Sequence, residues 1–253
     1  MFPIRDENPT LRIPIATFAV IGLNIASWIF VQGLGGELSL VRSACVFWLI
    51  PGELLGTVPR GISVPLGPTA QCVLDGSGSL ITPITSMFMH GGWFHILGNL
   101  WFLWIFGDNV EDAMGVVRFL LFYLLCGLAA AAAHVLTDTQ GVVPMVGASG
   151  AIGGVMGAYA RLYPRARVHT VVFFGFFFTT VSLPAVLMLG YWFLLQILGG
   201  LPALGGLSTG IAFWAHVGGF AAGVVLVGPL HRPGRLEAHR RHARRETARH
   251  RVF

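Results

Sequence analysis

Runs of about twenty apolar residues, separated by short polar or glycine-rich joints, leave this chain few folds to adopt. A helix crosses the hydrocarbon core of a bilayer in ~20 residues. Mean hydropathy is +0.73, with 55% hydrophobic and only 11% charged residues. That balance excludes an ordinary soluble domain and predicts an all-α membrane protein. The 253 residues hold about six spans plus their loops.

The six spans are expected at Ile13–Val31, Met87–Gly107, Val116–Leu136, Ser149–Leu162, Leu183–Leu198 and Ile211–Leu230. Arg5 and Arg12 precede the first, as in a signal peptide. Its apolar run is long and lacks a small-x-small cleavage site, so it reads as an anchor. In the long loop Gly33–Leu80, the Cys45–Ile50 stretch with Trp48 is expected at the interface, where tryptophan is favoured. Pro184 interrupts a run too long for one straight span, which leaves Val168–Val181 as an interfacial segment. Residues 1–230 form one membrane domain. Residues 231–253 are a polar tail with eight arginines and four histidines, expected to be disordered or to lie on anionic headgroups. The adjacent bilayer is the expected partner of this tail, and nucleic acid is not. Cys45 and Cys72 share the long loop and can pair in an oxidising compartment, but neither number nor spacing demands it.

All 16 basic residues are arginines, and their placement sets orientation. Arg5, Arg12, Arg161, Arg165, Arg167 and the tail fall on one side of a six-span chain, the cytoplasmic one. Thr137–Val146 and Gly199–Gly210 carry no Lys or Arg and lie outside. Spans two, four and six then run from outside to inside. Ser149 stands 12 residues before Arg161, His216 14 before Leu230 and His95 13 before Asp108. At 1.5 Å per residue these are heights of about 18, 21 and 20 Å, with Asn99 near 14 Å. Four polar side chains from three spans thus share one layer nearer the outer face.

Polar groups at membrane depth are expensive and mark functional sites by default. The bland readings are a helix cap for Ser149, a packing role for His216, and interhelical hydrogen bonding for His95 and Asn99. Common depth weighs against them. His95 and Asn99, spaced i, i+4, also share a helix face. Gly153-x-x-x-Gly157 and Gly219-x-x-x-Gly223 have the spacing of close helix packing. Such packing lets the Ser149 and His216 spans approach closely enough for a nucleophile and its base to meet.

These residues resemble the rhomboid intramembrane serine proteases. The likeness rests on His95-x-x-x-Asn99, on Gly147-x-Ser149-Gly150, and on Ala215-His216-x-Gly218-Gly219 with Gly223. Gly107-x-x-x-Glu111-x-x-x-Gly115 followed by Arg118-Phe119 resembles the family's turn after the second span. The resemblance covers about residues 85–228 and implies a six-transmembrane-helix bundle whose site opens away from the cytoplasm. It implies Ser149 as nucleophile and His216 as base, with His95, Asn99 and the Ser149 N–H holding the oxyanion. Substrates would be transmembrane proteins cut in or near their helices, with no cofactor and no metal. The expected location is a bacterial inner membrane, with both termini cytoplasmic. Two features depart from the family: Gly153 stands where many members have an aromatic residue, and Ile81-Thr82 near where some have Trp-Arg. None of the 11 acidic residues falls within a span at that depth, so a Ser–His dyad is expected rather than a triad. The rival reading is a rhomboid-like protein that binds or escorts membrane proteins without cutting them. A transporter is a third reading, and no inverted repeat of broken helices supports it.

Overall fold

Helix ends in this chain coincide with glycine and proline. The structure, a computed structural model, describes residues 1–66, 71–76, 78–174, 177–205 and 210–250. Helix α1 (Ile15–Ala26) runs on through a π-turn, Ser27–Val31, to a left-handed turn at Gly33–Gly35. Helix α2 (Glu37–Phe47) follows. The bundle helices are α3 (Trp93–Met114), α4 (Val116–Thr137), α5 (Ser149–Leu162), α6 (Ala185–Leu204) and α7 (Phe213–Leu230). Helix α8 (Pro233–His250) closes the described chain. Three helices, α4, α6 and α7, are long and apolar enough to cross a bilayer. The apolar run Ile15–Val31 is shorter, α5 has 14 residues, and α3 carries Asp108, Glu111 and Asp112 near its end.

The expected spans lie close to these helices, with informative differences. The second span begins at Trp93 rather than Met87, because Gly91-Gly92 break the helix and Ser86–Phe88 form a separate 3-10 turn. The fifth extends to Leu204, past the expected Leu198. The segment Val168–Val181, expected as interfacial, contributes to a hairpin: β4 (Arg167–Phe174) pairs antiparallel with β5 (Phe177–Pro184). The first strand, β1 (Phe2–Asp6), joins β4 to give the order β1-β4-β5. β-branched residues on both sides of the turn favour the ladder. The long loop carries a second hairpin, β2 (Ser63–Pro65) with β3 (Gln71–Val73), tied to α2 by a Cys45–Cys72 disulfide. Within the stretch expected at the interface, Leu49 and Ile50 are buried, and Leu49 bridges Met145. The tail forms a helix over Pro233–His250. Residues 67–70 and 77 of the first loop, 175–176, 206–209 and 251–253 lie outside the described residues.

Two residues, Glu111 and Arg118, anchor the turn between α3 and α4. Glu111 accepts the Ala16 and Thr17 N–H groups at 2.9 and 2.8 Å and the Thr17 hydroxyl at 2.9 Å. A carboxylate thus satisfies the free donors at the start of α1 and meets the positive end of its dipole. Arg118 donates to the Leu230 carbonyl at the end of α7. Beside them, Asp112 receives Arg12, the Leu11 N–H and the fully buried His239 of α8. Asn8 and Asn109 complete the cluster. Both ends of the described chain are therefore fixed to the foot of α3.

Asp6 joins this polar foot by accepting the Tyr159 hydroxyl. Burial, only partly offset by that hydrogen bond, pushes its carboxyl from 3.8 up to about 6. The folded protein therefore holds this proton more tightly than the unfolded chain. Its stabilising contribution is full below pH 4 and is lost as pH climbs through 6. Asp6→Asn should accordingly raise stability at pH 7 by about 1–2 kcal/mol after allowance for solvent screening. The gain should vanish at pH 4, as thermal unfolding in detergent across that range will show.

Candidate active site

Ser149 is the first residue of α5, and its side chain does not cap that helix. Its Oγ lies 2.7 Å from Nε2 of His216 on α7. The capping reading of Ser149 therefore gives way to a hydroxyl–imidazole pair. The helices approach closely enough because their facing residues are glycines. A Cβ on Gly219 would fall on the Gly150 carbonyl, and one on Gly223 on the Gly154 carbonyl. A Cβ on Gly157 would strike the Phe220 carbonyl. Helix α4 fits the same seam with alanines: Ala130 meets Gly150, and Ala133 meets Gly218. Backbone thus packs on backbone, and the separation of Ser149 and His216 is set by the main chain.

The other candidates gather around Gly147. This residue has φ +115°, and a Cβ there would lie 2.5 Å from His95 Nε2 and 3.5 Å from Asn99 Nδ2. Only glycine suits that conformation and that approach. His95 Nδ1 accepts the Gly91 N–H at 3.3 Å, which leaves Nε2 as the donating nitrogen. Asn99 is buried and uses one amide hydrogen on the His95 carbonyl at 3.0 Å, with the other left to donate. The N–H groups of the first turn of α5 have no partner within the helix. Donors from α3 therefore gather at Gly147, two residues before the serine that opens α5. His90, to which the sequence assigns no role, is buried against the His95 ring with centroids 5.2 Å apart. Among the described residues no group of three His, Cys, Asp or Glu side chains could hold a metal ion.

Two residues of α6 escape a sequence reading. Gln196 Oε1 lies 2.8 Å from His216 Nδ1. Trp192, one turn earlier, packs its ring on that of His216 at 5.8 Å. Gly153 leaves the histidine without an aromatic from α5, and Trp192 supplies one from α6. A lone glutamine in an apolar run was the available signal. Near the start of the core, Ile81-Thr82 open a helical turn, Thr82–Thr85, in which the Thr85 hydroxyl donates to the Phe47 carbonyl and ties the long loop down.

The rhomboid-domain family model matches residues 77–233, which contain every residue of this constellation. The chain belongs to the rhomboid family. Rhomboid membership and the apolar helices make it an integral membrane protein. The rhomboid protein YdcA of Bacillus subtilis is 32% identical over 162 residues, 62% of this chain and 67% of that protein. RHOMBOID-like protein 5 of Arabidopsis thaliana is 37% identical over 75 residues, 30% of this chain and 24% of its own. The mitochondrial Rhomboid protein 1 of Saccharomyces cerevisiae is 32% identical over 99 residues, 38% of this chain and 29% of its own. The plant and yeast matches thus span less than a third of those proteins.

The glycine seam of this rhomboid is directly testable. Gly223→Ala should force α5 and α7 apart, since the added methyl meets backbone that has no rotamer to change. Overpacking of this kind costs about 1–3 kcal/mol or more. Thermal unfolding in detergent should register that loss, whereas Gly190→Ala, with nothing within 4 Å, should leave stability within about 0.5 kcal/mol.

Proposed function

We propose that this rhomboid is a serine endopeptidase that cleaves transmembrane proteins in or near their membrane helices. The observation that carries the reading is the 2.7 Å contact between Ser149 Oγ and His216 Nε2, with oxyanion donors alongside. His216 Nε2 takes the hydroxyl proton as Ser149 Oγ attacks the scissile carbonyl. Negative charge then develops on the carbonyl oxygen. The Nε2–H of His95, the free amide hydrogen of Asn99 and the N–H of Ser149 would hold it. His216 returns its proton to the leaving amine, and the C–N bond breaks to leave an ester on Ser149. Water, activated by the same imidazole, cleaves that ester and regenerates the serine.

The bundle that houses this chemistry is read as six spans: α1 with its π-turn, and α3 through α7. Arginine placement orients it with both termini cytoplasmic in a bacterial inner membrane, and the site near the outer face. Glycine-rich surroundings at Ser149 favour a small side chain before the cut. A substrate peptide bond must leave its helix to reach the serine. Segments with glycine or other weak helix formers unwind most readily.

A fluorophosphonate probe separates this reading from that of a non-catalytic binder. Purified wild type should label on Ser149, Ser149→Ala should not label at all, and His216→Ala should label at most weakly. Folded wild-type protein that stays unlabelled would favour the binder and sink the protease. Asn99→Ala should fold normally yet lose about 100- to 1000-fold in cleavage rate, measured on a quenched-fluorescent transmembrane peptide. Loss of only two- or threefold would remove Asn99 from the oxyanion site.

A further inference from the structure

The His216 ring has two hydrogen-bonding partners, and the second one settles its tautomer. Gln196 Nε2 donates to the Trp192 carbonyl at 3.2 Å, four residues back on α6. A backbone carbonyl only accepts. The glutamine amide is therefore turned with its NH2 toward Trp192, which leaves Oε1 facing His216 Nδ1 at 2.8 Å. An amide oxygen also only accepts. The hydrogen in that contact must belong to Nδ1, so Nε2 keeps its lone pair and points it at Ser149 Oγ, 2.7 Å away.

We propose that Gln196 is the positioning residue of the Ser149–His216 pair: its amide oxygen holds the imidazole as the Nδ1–H tautomer and aims Nε2 at the serine. Trp192 completes the arrangement, because its carbonyl orients the amide and its indole lies against the ring. Gln196 and Trp192 are spaced i, i+4 and occupy one face of α6. The role rests on the protease reading, and it explains how a dyad works without an acid. In soluble triads a carboxylate fixes the tautomer and also stabilises the imidazolium. A carboxylate at this depth would be a buried charge with no cation at hand. The amide retains the first task and gives up the second. The titratable groups acting on His216 are His95 on α3 and His134 on α4. From α5 and α6 it meets Ser149, Gln196 and Trp192, none of them charged.

Two substitutions in the full chain, reconstituted in proteoliposomes, test this. Gln196→Met keeps length and bulk but removes the acceptor. Gln196→Glu keeps the acceptor and adds charge. General-base assistance is worth roughly 100- to 10,000-fold, and part of it depends on the tautomer. Gln196→Met should therefore lose about 10- to 100-fold in kcat with KM nearly unchanged. The 15N spectrum of His216 should pass from the single Nδ1–H form to a mixture. Gln196→Glu, which keeps the acceptor, should be impaired less than Gln196→Met, and the acid limb of its pH–rate profile should move to higher pH, because a carboxylate favours the imidazolium. Wild-type kcat and a wild-type His216 spectrum in Gln196→Met would overturn the role. So would equal impairment of both variants with unchanged pH profiles, which marks a merely structural glutamine. Absence of fluorophosphonate labelling in wild type defeats the protease reading instead, and the 15N spectrum still decides the tautomer.

Discussion

Everything at the Ser149 end of the molecule depends on main chain touching main chain between α5 and α7. A helix pair with ordinary side chains at its seam has axes 8–10 Å apart, too far for a serine and a histidine at the same level to hydrogen-bond with certainty. Glycines 150, 154, 157, 219 and 223 remove that spacing layer. Dispersion and close packing hold the seam, because in hydrocarbon there is no hydrophobic effect to drive helices together. The same atoms that stabilise the bundle therefore set the 2.7 Å contact between Ser149 and His216. Fold and site share one cause, so a methyl group at the seam acts on both.

The opposite end of the bundle is built on the contrary principle. Glu111, Asp112, Asn109, Asn8, Arg12 and His239 make a dense polar foot around the end of α3. Glu111 and Asp112 there each have specific partners, as a buried charge requires. Directional bonds fix where α1, α8 and the N-terminal strand attach. Non-directional glycine packing fixes how near α5 and α7 come. A rigid foot and a close seam together leave the donors around Gly147 little freedom to drift from the serine.

Much of this was legible in the sequence, because period and punctuation are local. Ser149–Leu162 begins and ends where glycine, proline and charge predict. The shared depth expected for Ser149, His216, His95 and Asn99 follows from helical rise alone; in the fold Ser149 meets His216, and His95 and Asn99 lie against Gly147. What was illegible is long-range or ambiguous in composition. The apolar composition of Val168–Val181 does not by itself announce a hairpin, which forms by pairing of β4 with β5 and, at its edge, with Phe2–Asp6. The tail's arginines read as solvated, yet His239 is fully buried because Asp112 and Asn8 accept from it. Cys45 and Cys72 pair because β3 folds back on α2, a proximity that their separation in sequence does not contain. Gln196 was visible as a polar residue in an apolar run, but its partner on α7 was not.

Position 153 lies on the seam itself. A Cβ there would come within 3.2 Å of the His216 carbonyl and 3.6 Å of the Phe220 nitrogen. With glycine at this position, α5 presents no ring to the histidine. Support for the imidazole must then come from a third helix, and α6 offers a face with room: Trp192 against the ring and Gln196 at its far nitrogen. Tight approach of two helices and control by a third are thus one design. It places orientation of the base on α6, a helix with few buried residues along its length. Whatever displaces α6 within the bilayer also releases the imidazole from the amide that orients it.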